Sequence, residues 1–80
     1  MQNVYKNLAG NSPIRSYEFG EDFIDVEFKE RSKSGFRNYH YSYASTGADH
    51  IEKMKLFADG GRGLCTYIVQ NVKKRFERQW

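Results

Sequence analysis

The 80-residue chain is short of the residues that usually announce chemistry: it has one cysteine, Cys65, two histidines, His40 and His50, and one tryptophan, Trp80. A single cysteine excludes an intramolecular disulfide, so packing alone must hold the fold. One thiol and two separated imidazoles make a poor zinc set, and neither a metal nor any other cofactor is expected. No apolar run approaches the roughly 20 residues that cross a bilayer, which excludes a transmembrane helix. The N-terminal MQNVYKNLAG also lacks the apolar stretch, about seven residues or more, of a secretory signal. A cytoplasmic protein with no membrane role is the expectation.

What the chain does have is rings and charge. Aromatic residues make up 16% and charged residues 29%, too rich in large apolar side chains for disorder and enough for one small core. The formal net charge of +3 conceals a division along the sequence. From Glu18 to Glu30 six acids stand against Lys29 alone, a local net of −5. From Arg62 to Trp80 the balance reverses, with Arg62, Lys73, Lys74, Arg75 and Arg78 against Glu77, a local net of +4.

Residues 1–11 carry only Val4, Tyr5 and Leu8 as large apolar groups ahead of Gly10, Asn11 and Ser12, and read as a flexible tail with one docked turn. The folded domain is expected over 12–80. "IRSYEF" and "DFIDVEFK" alternate in polarity, and Gly20-Glu21 between them suits a two-residue hairpin link. Pairing Phe19 with Asp22 places Tyr17 opposite Ile24 and gathers Tyr17, Phe19, Ile24, Val26 and Phe28 on one face. Glu18, Asp25 and Glu27 take the other. "ERSKSG" follows as a polar loop and "FRNYHYSY" as a third strand. After Thr46, which is suited to N-cap with Asp49 as its partner, the period lengthens to about 3.6: Ala48, Ile51, Met54 and Ala58 mark a helix. Gly60 or Gly61 ends it. Leu64, Ile68, Val72 and Phe76 mark a second helix over 64–77. The expected fold is α+β, a three-stranded antiparallel meander covered on one face by two C-terminal helices, in the order β-β-β-α-α.

"YHY" at 39–41, after a "DVEF" strand and before a helix ending in "GRGLCTYI", resembles the KTSC domain, a short module found at the C-terminus of some lysyl-tRNA synthetases and as stand-alone bacterial and phage proteins. Tyr39 and Tyr41 match its central Y-x-Y. Val26 and Phe28 match the preceding strand, and Ala58, Gly61, Arg62 and Ile68 match its helix-turn-helix segment. The resemblance spans about Ser12 to Phe76. It implies a compact α+β domain without catalytic residues, for which RNA binding has been suggested.

Alternating tyrosines on a sheet are a stacking platform in several single-strand binders. Here strand parity assigns Tyr39 and Tyr41 to the helix-covered face, so both are expected in the core, with Tyr43 reaching solvent at the strand's end. The basic C-terminal helix is the better functional candidate. Arg62, Lys73, Lys74, Arg75 and Arg78 are its proposed contacts to RNA or another polyanion. Four phosphate contacts would give a log-log salt slope of roughly −3.6 on duplex or −2.8 on single strands.

"GGRG" at 60–63 lacks the ending of a phosphate loop and lies between helices, so it reads as a helix stop and turn. Cys65 reads as packing, because no spacing ties it to a histidine base. The expected function is a non-enzymatic binding module. Its alternative is a protein-interaction or self-association module, motivated by the aromatic excess and Trp80.

Overall fold

The computed structural model describes residues 3–8, 10 and 12–80. They form an antiparallel sheet of five strands in sequence order: β1 Asn3–Val4, β2 Ile14–Phe19, β3 Phe23–Phe28, β4 Asn38–Ser42 and β5 Arg78–Gln79. Between β4 and β5 lie α1 Tyr43–Thr46, α2 Ala48–Gly60, α3 Leu64–Tyr67 and a π-helical segment, Ile68–Val72. The architecture is therefore α+β, and the central three strands are the expected meander with an extra short strand added at each edge.

Alternation of polarity makes these strands and decides their faces. β2 and β3 pair Phe19 with Ile24, Tyr17 with Val26 and Glu18 with Asp25. The pairing is displaced from the expected register by two residues, because the link runs over residues 20–22 and Gly20 N–H donates to Phe23 O at 3.2 Å. A shift of two conserves parity, so Tyr17, Phe19, Ile24, Val26 and Phe28 still face the core. The register also shifts between Ile14 and Ser16. This irregularity turns Ile14, whose parity assigns it to the opposite face, into the core at 1% exposure. β4 continues the pattern, with Ile24 beside Tyr41 and Val26 beside Tyr39.

Helix α2 covers this face with Ile51, Met54 and Ala58, all fully buried, whereas Ala48 is exposed. Two expectations at its start are corrected. Ser42, not Thr46, is the capping residue, and it caps α1: its hydroxyl accepts from Ser45 N–H while Ser45 returns a bond to the Ser42 backbone. Thr46 is buried and donates its hydroxyl to Arg75 O at 2.8 Å. Helix α2 itself starts after Gly47 with no side-chain cap.

The predicted helix over 64–77 is also corrected. It ends at Val72, where Lys73 takes φ 25° and ψ −101°, and the chain then turns back to add β5 to β4, with Glu77 N–H donating to His40 O at 2.6 Å. Leu64, Ile68 and Val72 are buried as their spacing requires, and Phe76, beyond the break, packs against the same core.

Within the expected N-terminal tail, Met1, Gln2, Ala9 and Asn11 lie outside the described residues. Asn3 and Val4 pair with Tyr17 and Ser16. Tyr5 is a core residue at 4% exposure, with its N–H on Arg15 O and its hydroxyl accepting from Leu64 N–H. Part of that segment is thus an edge strand and a core anchor. Among the described residues no helix is long and apolar enough to cross a membrane.

Candidate nucleic-acid interface

Tyr39 and Tyr41 share a face but not an environment. Tyr41 is 2% exposed and its hydroxyl lies 3.5 Å from Lys73 O; burial drives its phenol well above the usual tyrosine range. Tyr39 is half-buried, and its neighbours are rings. Phe28 meets it edge-on at 5.5 Å and Phe76 lies tilted at 5.1 Å. Phe76 also packs edge-on against Tyr41 at 6.2 Å.

These rings form the floor of a groove of about 490 Å³, inside the range of roughly 300–1,000 Å³ usual for small-ligand sites. One wall is the loop between β3 and β4, through Ser32 and Ser34. The other is the chain after α3, through Val69, Lys73 and Lys74, with Gln79 of β5 at one end. The loop holds its shape through Ser32: its N–H donates to Phe36 O at 2.7 Å and its carbonyl accepts from Gly35 N–H at 2.9 Å. Gly35, at φ 90°, takes the conformation that turn needs.

The five cations predicted as one surface are divided among several. Lys73 and Lys74, both exposed, border the groove. Arg62 lies in the turn before α3, at the far end of a nine-residue helical run from Lys73. Arg75 is exposed and its carbonyl is tied to α1 by Thr46. Arg78 is in register with His40, on the sheet face that carries Asp25, and its guanidinium stands 5.7 Å from the Trp80 ring centre. Among the described residues none of the five makes an ion pair. The break at Lys73 removes the single helical face that would have aligned them.

Sequence reasoning missed the loop wall. "ERSKSG" reads as a polar loop, and the cations Arg31 and Lys33 on either side of Ser32 are its one signal of a binding wall. It also missed the groove itself, since nothing in local spacing shows that Phe76 and Tyr39, 37 positions apart, come together.

The remaining candidates are accounted for locally. Cys65 is half-buried, and burial pushes its thiol above the usual range, away from the thiolate a nucleophile needs. His40 pairs with Asp25 and stacks on Phe23, whereas His50 shares a 2.6 Å hydrogen bond with Tyr67. Neither hydrogen-bonds Cys65. No group of three or more metal-ligating side chains occurs among the described residues. Gly60 ends α2 and Gly61 caps it at φ 75°, so GGRG is a helix stop and turn.

No protein-family model, curated protein or solved structure matches the chain.

Proposed function

We propose that this chain is a non-enzymatic, KTSC-like binding module whose ligand is RNA or another polyanion, held at the groove through Lys73 and Lys74. The likeness to the KTSC domain rests on the motifs quoted above. The observation that carries the functional reading is the meeting of two exposed, unpaired lysines with half-buried aromatic side chains in one cavity. Cations beside ring faces suit a ligand with phosphate on its outside and flat apolar surface within.

Separation of the other cations lowers the expected electrostatic contribution. Two phosphate contacts on a single strand give a log-log salt slope of about −1.4, half that of four. Fluorescence titration with a short labelled RNA at 50 and 200 mM salt tests this. The expected results are that slope, loss of binding in Lys73→Glu with Lys74→Glu, and little change in Arg62→Glu. Absence of binding at the lower salt, or unchanged binding by the double lysine variant, overturns the reading.

A further inference from the structure

We infer that the groove receives one unpaired base of a single-stranded nucleic acid, with the base against Tyr39 and Phe76 and an adjoining phosphate at Lys73 and Lys74. This rests on the polyanion reading above and deepens it by naming the form of the ligand. Three features carry it.

The cavity is concave and its floor is aromatic. Phe28, Tyr39 and Phe76 are half-buried and packed on one another at 5.1–5.5 Å, so the rings are held in place before a ligand arrives. A fixed ring is a better stacking partner than a mobile one, because little side-chain freedom remains to be lost on binding. A duplex keeps its bases paired and stacked, and offers a recess of this kind only a backbone. A single strand can turn one base into it.

The rim is polar in a way that fits a nucleotide's edge. Ser32 and Ser34 stand on the loop wall and Gln79 at the end of the groove; hydroxyls and an amide supply both donors and acceptors, which the edge of any base presents in turn. Lys73 and Lys74 are adjacent in sequence and exposed beside the same recess. The charges are thus concentrated at one point of the ligand and not spread along a track. That suits a single phosphate next to an inserted base.

The other side of the sheet disfavours a long duplex footprint. Glu18, Asp25 and Glu27 occupy the face opposite the core, Arg78 shares that face through its pairing with His40, and Arg62 lies beyond the other end of the helical run from Lys73. With two phosphate contacts, duplex affinity would rest on a salt slope of about −1.8 and nothing else. Base stacking must supply the rest of a useful affinity.

The test varies the ligand, so it does not depend on a variant that folds. Four probes of equal length are titrated at 50 mM salt: oligouridylate, its ribose backbone with abasic positions throughout, a self-complementary duplex, and oligodeoxyuridylate. The expectation is at least tenfold weaker binding of the abasic strand and of the duplex, with oligodeoxyuridylate as the arm that tells RNA from DNA as the natural strand. A strand carrying 2-aminopurine should lose fluorescence on binding, as a base stacked on a ring does. On the protein side, Tyr39→Phe should keep the preference for bases and Tyr39→Leu should reduce it several-fold. Equal binding of abasic and base-bearing strands overturns base insertion and leaves the polyanion reading standing. Binding of none of the probes overturns both.

Discussion

Gly61 closes α2 at φ 75° with its N–H on the carbonyls of Ala58 and Phe57, and a Cβ placed there would stand 2.6 Å from Lys6 Cβ. Its neighbour Gly60 is the last helical residue, and a Cβ there meets nothing within 4 Å. The two glycines therefore have opposite expected substitution effects. Gly61→Ala places an L residue in the left-handed region as well as against Lys6, and should lower stability by about 1–3 kcal/mol. Gly60→Ala removes the entropy penalty of a helical glycine and should raise it by about 0.5–1 kcal/mol. Thermal unfolding followed by circular dichroism checks both; for a domain of this size each kcal/mol moves the midpoint by about 4–8 °C. Sequence alone left the choice between these glycines open, since the pattern of a helix stop is satisfied by either and the contact with Lys6 is tertiary. The Tyr39–Tyr41 pair shows the same limit. Parity placed both rings on the covered face, and both are there. Only packing decides that Tyr41 is buried to 2% exposure at the base of the groove while Tyr39 stays half-buried in it.

The element that the sequence could not show is the end of the second helical run. Leu64, Ile68, Val72 and Phe76 keep a spacing of four, and no glycine or proline stands between Leu64 and Phe76. Local propensity thus favours continuation. What stops the helix is non-local: Glu77 and Trp80 donate to the carbonyls of His40 and Asn38, so the chain must reverse within a few residues of Val72. The reversal widens the last turn, with Lys73 N–H bonded to Ile68 O at 2.7 Å, and forces Lys73 into positive φ. Tertiary pairing overrides propensity here. A residue without a Cβ should be easier at that point, so Lys73→Gly should raise stability by about 1 kcal/mol in urea unfolding and weaken RNA binding through loss of one cation. The combination separates the backbone role of position 73 from its charge. A variant that is both less stable and weaker in binding would instead show that the lysine stem contributes to packing around Tyr41. The edge strands β1 and β5 were illegible for a simpler reason: with two residues each, neither is long enough to display a period.

For the molecule as a whole, the division of charge along the chain becomes only in part a division between surfaces, because Arg78 lies on the face of Asp25. The acids Glu18, Asp25 and Glu27 lie on the uncovered side of the sheet, while Lys73 and Lys74 border a groove floored by rings of the covered side. A polyanion should therefore be repelled from one side and held on the other. Stability should be graded across the same sheet. β3 is hydrogen-bonded to a neighbour on both sides and buries Ile24 and Val26 completely or nearly so, at 0% and 1% exposure; β1 and β5 are short edges. In native-state hydrogen exchange the amides of β3 should be slowest, and those tying the edges should open locally with much smaller free energies. The two edges then serve as reporters of where a ligand sits. The amides of Glu77 and Trp80 hold β5 against β4 beside the groove, whereas Tyr5 N–H, bonded to Arg15 O at 3.0 Å, reports on the opposite edge. A ligand in the groove contacts Gln79 and Lys74 and should slow exchange at Glu77 and Trp80 while leaving Tyr5 unchanged. Exchange measured with and without saturating oligouridylate at low salt decides the matter. A gain of protection confined to Tyr5 and β2 would move the binding surface to the other end of the sheet, and an equal gain at both edges would mean that the strand has no fixed seat on the protein.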